Sequence, residues 1–504
     1  MGAFSMLVPV YCGNADEVQP LPKVQPAHQP LSPRINGASV VGNRPGTPFI
    51  FTIPATGQRP MEFTARGLPD GLVLDAKTGI ITGRVDNAGE YQVAVRVRNT
   101  HGEARRTLRL VIGERLALTP PMGYNTWNVI ERDVSDTVLR EMADAMVNLG
   151  LRDVGYQYIN MDDWWAESER NAEGRLDPDP KRFPQGVKPV ADYIHSLGLR
   201  FGLYSSPGPK MCAGSSPGTL GHEAQDARIW AGWGVDYLKH DRCSCPKGRE
   251  IELYSLMGRE LACSGRSIVY SIGAGAAACH QWGALADGHL WRTAGDIRDT
   301  WTLPKHQAGI IECFEKQRNL DEYQQPGAWN DPDLLVIGIY GKGRSANDLG
   351  AAGCNDVEYR SQMSLWSLLG APLLASCDLR RITPAALEIL SNPEVIDIDQ
   401  DPLGKPARPC AGSCETEVWV KDLEDGSKAV GLLNRGPKSA RITAKWVALG
   451  LSGKQLVRDL WARKDVGLFD TEWGCEVASR ETIFLRISPA VEQAVWQGRR
   501  RGSQ

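Results

Sequence analysis

The residues Lys239, His240, Asp241 and Arg242 end an otherwise apolar run, "GVDYL", that reads as a buried strand. Burying four such side chains for structure alone would cost on the order of several kcal/mol per unpaired group. The run therefore stops either in water or in a site. Asp241 has a counterpart in Asp296, within "WRTAGDIRDTW". Two carboxyl groups, one ionised and one protonated at the outset, are what cleavage of a glycosidic bond requires. Strand period two turns Lys239 to the face of Asp241, and an ammonium favours the ionised carboxyl, so Asp241 is expected to hold a lowered pKa. Asp296, with more apolar neighbours, is expected to hold the raised one. The competing reading makes each a surface or salt-bridged aspartate.

Further polar residues fall at or just past the ends of strand-like segments: Asp162 and Asp163, Tyr204, Lys239, Asp331 and Asp333, and Asp378. The segments that would position them alternate with helical ones. Strand patterns occur in "MGYNTW", "YQYINMDDWW", "RFGLYSS", "VDYLKHD", "SIVYSIG", "HLWRTAGDI", "WNDPDLLVIG" and "PLLASCDL". Between them, Leu139, Met142, Met146 and Leu149 fall at helical spacing, as do stretches such as "VKPVADYIHSLG" and "EIELYSLMGRELACSG". Eight strands over roughly 280 residues have the size and rhythm of a (β/α)8 TIM barrel, whose active sites sit at the C-terminal ends of the strands. A mouth lined with Asp and Trp, without a His/Cys ligand set or a phosphate loop, suits a neutral polyol such as a sugar. No cofactor and no metal are expected.

The chain has 504 residues, 42% of them apolar and 23% charged, with a net charge of −3. That balance gives no electrostatic reason to expect nucleic acid or an acidic membrane as partner. No apolar run reaches the roughly 18–20 residues that span a bilayer. Cys243 with Cys245 and Cys410 with Cys414 lack matching second pairs, so a zinc site is not expected. We divide the chain into a Pro-rich extension and linker (1–33), an immunoglobulin-like β-sandwich (34–114), the barrel (115–408), an antiparallel β domain (409–492) and a tail (493–504) expected to be disordered. The sandwich rests on alternation such as Tyr91, Val93, Val95 and Val97. It resembles modules appended to bacterial secreted enzymes. The first residues contain an apolar stretch but no Lys or Arg before Lys23, so the basic region of a signal peptide is missing.

From about Leu118 to Ser488 the chain resembles glycoside hydrolase family 27 (clan D), the retaining α-galactosidases and α-N-acetylgalactosaminidases. The motifs are "LTPPMGYNTWN", "INMDDWW", "GLYSSPGPKMCAGSSPGTLGHEAQDARIWAGWGVDYLKHDRC", "WRTAGDI", "PGAWNDPDLLVIG", "APLLASCDL" and "NPEVIDIDQDPLG". The resemblance implies that Asp241 is the nucleophile and Asp296 the acid that later serves as base. It implies that Asp162 and Asp163 hold the sugar's 4- and 6-hydroxyls and that Trp127 walls the pocket. Tyr204, Lys239 and Arg292 would orient the sugar or the carboxylates, and Cys212 and Cys243 would form a disulfide beside the nucleophile. The activity implied is exo-acting removal of terminal α-D-galactosyl residues from oligosaccharides, polysaccharides or glycoconjugates. That disulfide presumes an oxidising compartment, hence a secreted or periplasmic location. α-N-Acetylgalactosaminidase and β-L-arabinopyranosidase activities are the alternatives on this scaffold. A catalytically weak carbohydrate-binding protein is the alternative from another class.

Two departures from the family stand out. Many relatives carry Cys-Glu-Trp after the fifth strand, where this chain has Gly273, Ala274 and Gly275. Either the pocket for the sugar's 2-substituent is widened, or another loop, the one with His280 and Trp282, refills the space. His240 replaces an aromatic residue, and strand parity points it away from Asp241, into a packing role.

Overall fold

The computed structural model describes residues 30–213, 216–274, 278–303, 308–343 and 353–490. The extension before residue 30, Gly275 and the tail from 493 lie outside them. Eight parallel strands form the central sheet: β1 (Met122–Asn125), β2 (Tyr158–Asn160), β3 (Arg200–Ser205), β4 (Val235–Asp241), β5 (Val269–Gly273), β6 (Leu290–Arg292), β7 (Trp329–Asp331) and β8 (Leu373–Ala375). Neighbours follow chain order from β1 to β7, and β8 pairs with β1. Just past β7, a parallel bridge from Leu335 to Ala375 brings the two edges together. The eight strands stand where the alternation of the sequence places them.

The register decides which residues share the interior. Tyr204 pairs with Lys239 and Lys239 with Ser271, while Asp241 pairs with Gly273 and Arg292 with Asp331. Residues paired across parallel strands point to the same side, so one stack of polar side chains runs up the inside of the barrel to its mouth. The odd-parity residues face the helices. His240 is one of these: its ring bonds the Tyr270 hydroxyl at 2.9 Å and Thr219 Oγ1 at 3.2 Å, with Tyr254 edge-on.

Around the sheet lie α1 (Asp136–Asn148), α2 (Lys188–Ser196), α3 (Glu223–Trp233), α4 (Glu250–Ala262) and α5 (Asp356–Leu369). α1 starts where the Ser135 side chain accepts from Val138 N, and it buries Leu139, Met142 and Met146, one per turn. Between β5 and β6 the described chain forms only 3-10 turns, Cys279–Gln281 and Gly283–Ala286. The C-terminal domain pairs a six-stranded sheet with a two-stranded ribbon. Its Trp419 and Phe484 join the barrel's own core.

The N-terminal sandwich (four- and three-stranded sheets) has a separate core built on Phe49, Phe51, Phe63, Val93, Val95 and Val97. Most of its polar contacts go to segments that enter barrel strands from below, and Arg34 pairs with Asp397 at 2.6 Å on a helix that follows β8. Asn36 donates to Asp153 O at 2.9 Å, Thr52 to Gly198 O at 2.7 Å, and Arg200 to Ile50 O at 2.7 Å. Gly37, at φ +63°, sits against Gly155, where an added Cβ would lie 3.1 Å from the Gly155 Cα. The module thus seals the floor of the barrel, the end opposite the mouth.

Candidate active site

At the end of β4, Lys239 Nζ lies 2.8 Å from Asp162 Oδ2 and 3.7 Å from Asp241 Oδ2, with the Tyr204 ring 5.2 Å away. Asn125 at the end of β1 donates to the same Asp162 oxygen at 2.9 Å. One ammonium therefore serves two carboxylates and holds both in the mouth. The Tyr204 hydroxyl and Asp241 Oδ1 are buried without a hydrogen-bond partner. That is capacity which a folded core would normally satisfy, left open beside the nucleophile candidate.

Asp162 and Asp163 follow β2 and are each 1% exposed. Asp163 accepts from Trp164 N at 2.7 Å and from Ala213 N at 2.8 Å, fixing the loop that carries Cys212. Burial pushes its carboxyl up against those two bonds. Cys212 and Cys243 form a disulfide, and Cys212 Sγ lies 3.9 Å from Asp241 Oδ2. Trp127, half-buried, is set by its backbone N–H donating to Asn125 Oδ1 at 2.8 Å.

On the other side of the mouth, Arg292 at the end of β6 pairs with Asp333 at 2.8 Å and reaches Asp296 at 3.3 Å. Asp333 in turn accepts from Ile297 N at 2.8 Å, which anchors the turn bearing Asp296. Asp331 is buried and its carboxyl is pushed up to about 6 by desolvation. Asp378, though also past a strand end, caps a 3-10 turn and is spent on Arg380.

Two expectations need correction. Asp241 is not lowered: burial outweighs Lys239 and raises it to about 6. Asp296 is not raised: the Arg292 guanidinium beside it holds it below its ordinary value. The side chain of Asp296 is 71% exposed, so water screens that pull. The two carboxyls come from β4 and from the turn after β6, with β5 between them. Gly273 makes this spacing workable. A Cβ there would stand 2.1 Å from Asp241 Oδ1 and 2.7 Å from its Cα, so only glycine leaves room for the carboxylate. Ala274 is fully buried, and its backbone N–H reaches the Cys279 thiol, which also contacts Arg292 O at 3.0 Å. His280 meets Tyr323 edge-on at 4.8 Å, while Trp282 packs on Tyr254 at 5.5 Å.

Sequence reasoning did not single out Asn125 or Ala213 N, and it named Asp333 only as a mouth acid. The partners of these groups become visible once the strands are side by side. Among the described residues no cluster of three His, Cys, Asp or Glu is placed to hold a metal ion.

An eight-stranded parallel barrel with paired aspartates at its mouth defines a glycoside hydrolase class, and comparison with known proteins gives the family. Residues 119–401 match the family described as Alpha galactosidase A, and residues 413–487 match its C-terminal β-sandwich domain. Residues 32–113 match an immunoglobulin-domain family. An α-galactosidase from Cyamopsis tetragonoloba is 41% identical over 74% of this chain and 87% of its own length. An α-N-acetylgalactosaminidase from Gallus gallus is 38% identical over 75% of this chain and 93% of its own. A solved Bacteroides fragilis chain, an α-galactosidase/melibiase candidate, superposes with a TM-score of 0.88 at 41% identity, covering 93% of this chain and all of that one. The chain belongs to the Alpha galactosidase A family of glycoside hydrolases, glycoside hydrolase family 27.

Proposed function

We propose that this enzyme is an exo-acting α-galactosidase that works by double displacement with net retention. The observation that carries the reading is the pairing, across Gly273, of Asp241 held by Lys239 with Asp296 held by Arg292. Asp162 and Asp163 accept the hydroxyls of a galactosyl unit, and Trp127 covers its apolar face.

In the first step Asp241 attacks C1 and forms an ester bond to it. The glycosidic C–O bond breaks, and its oxygen takes the proton of Asp296. Asp296 begins exposed and lowered; a bound sugar covers it, removes its water and raises its pKa, so the proton arrives with the substrate. Once Asp241 is esterified its negative charge is gone. The two carboxyls repel one another, so losing one charge makes Asp296 a weaker proton holder. It then takes a proton from water, which attacks C1 and releases Asp241.

Galactose is preferred over N-acetylgalactosamine in this reading because relatives about 41% identical over most of the chain are named α-galactosidases. The disulfide at Cys212 supports export to a secreted or periplasmic space. Side-by-side turnover of p-nitrophenyl α-galactoside, α-N-acetylgalactosaminide and β-L-arabinopyranoside, with Asp241→Asn as blank, tests the proposal. Preference for the first substrate is expected. Preference for another moves the specificity, and no turnover above the blank removes the enzymatic reading.

A further inference from the structure

The flank of the barrel carries a groove of about 460 Å³, well outside the mouth residues described above. It lies between α3 and the loop leading from β2 into α2. Its volume falls in the roughly 300–1,000 Å³ range of small-ligand sites. Trp233 and Ile229, both half-buried, supply an apolar wall, with Gln185, Arg175, Asp177 and Lys188 at the rim.

Charge on the rim is already spent. Arg175 Nε bonds Asp177 Oδ1 at 2.7 Å, and Lys188 holds Asp192 at 2.7 Å. What remains unpaired is neutral: among the described residues, the indole N–H of Trp233 and the amide of Gln185 bond to no protein group. A Cβ on Gly186 or Gly232 would meet nothing within 4 Å, so a larger side chain at Gly232 has open space to occupy. An indole face with neutral donors and acceptors at its edge is what a pyranose ring matches, apolar on its C–H face and hydroxylated at its rim. A peptide or anionic ligand would need free charge or strand edges that the groove lacks.

Two contacts lead from the groove to the mouth. Trp233 meets Trp165 edge-on at 5.9 Å, and Trp165 Nε1 donates to Tyr204 O at 2.9 Å. We propose that this groove is a secondary binding site for a neutral hexopyranose unit within the glycan chain whose terminal galactose enters the mouth. The identity of that chain rests on the function proposed above; the binding chemistry of the groove does not.

The test uses full-length Asp241→Asn protein, which cannot trim its ligand, in gels containing soluble galactomannan. Adding Gly232→Leu, which fills the groove from a helical position, or Trp233→Ala, which removes its wall, should each weaken retardation by at least about 5-fold. In the active enzyme, Gly232→Leu should raise KM for galactomannan by a similar factor and leave kcat/KM for p-nitrophenyl α-galactoside unchanged. Equal retardation of parent and both variants would overturn the site. Absence of aryl galactoside turnover in the wild-type enzyme would instead overturn the proposed activity, with the gel result still deciding the groove. Sedimentation covers the other occupant: a dimer that Gly232→Leu dissolves would show that a second copy, not sugar, fills the groove.

Discussion

Replacing Lys239 with methionine isolates the charge that keeps Asp241 usable. Burial raises Asp241, Lys239 opposes that rise, and the balance stands at about 6. At 3.7 Å the full Coulomb attraction is about 4.5 kcal/mol with an effective dielectric of about 20, equivalent to about three pH units. The carboxyl is 20% exposed and Arg292 still acts on it, so we expect about one to two of those units to be realised. The sign is fixed: removing a cation favours the protonated acid, and a nucleophile must be ionised. The acid limb of kcat/KM, which reports the free enzyme, should therefore move from about 6 to about 7–8 in Lys239→Met. At pH 5 the variant should lose a further ~10- to 100-fold, and the gap should narrow toward pH 9. The assay is a pH series on an aryl α-galactoside, read from the limb's position and not its height, since Lys239 also faces the sugar. A limb that stays at 6 or moves down would refute the view that Asp241 is the ionised group and Lys239 its main counter-charge.

Other outcomes follow from the same geometry. Gly273→Ala should cut kcat by at least about 100-fold and also lower the melting temperature, because the added methyl meets both the Asp241 carboxylate and the Asp241 Cα of the neighbouring strand; near-normal turnover would show that strand and carboxylate move aside freely. Asp236, buried under the barrel, accepts from Arg266 at 2.6 Å and His195 at 2.7 Å and is held at about 2. A lowered carboxyl contributes stability that is present above its unfolded value of 3.8 and is lost as pH falls through 2. Asp236→Asn should thus cost about 2–4 kcal/mol at pH 7 by denaturant titration, and the difference from wild type should shrink between about pH 4 and 2. Asn36→Ala, which breaks the buried bond to Asp153 O, should loosen the sandwich from the floor, giving a separate early transition by calorimetry at unchanged activity on a small substrate.

The barrel strands were legible because most couple a short apolar run to an acid or aromatic at the end, β5 with its terminal Gly273 being an exception, and that grammar survives without neighbours in view. The inward stack of Lys239 and Asp241 followed from strand parity alone, as did the outward turn of His240. The pKa directions did not follow, because they depend on distances between strands. Arg292 stands four residues before Asp296, yet only the turn after β6, pinned by Asp333, brings the guanidinium to the carboxyl. The depth of Asp241 is likewise a property of the closed ring. In the sequence Gly273 reads only as a widening of the sugar pocket; beside Asp241 it is a steric requirement. Nothing in the alternation of the sandwich says which of its faces would meet the barrel, because Asn36 and Thr52 read as ordinary polar residues until their carbonyl partners arrive.

The sealed floor has a practical meaning for how the enzyme can be held. Residues 31 and 32 are pinned to the sandwich, Leu31 O accepting from Asn99 at 2.7 Å and Ser32 donating to His101 O at 2.9 Å. A linker joined at that point leaves from the side of the molecule that carries no chemistry. Fixed to a bead or a surface through such a linker, the enzyme would stand with its mouth outward, open to chains too large to diffuse beneath it.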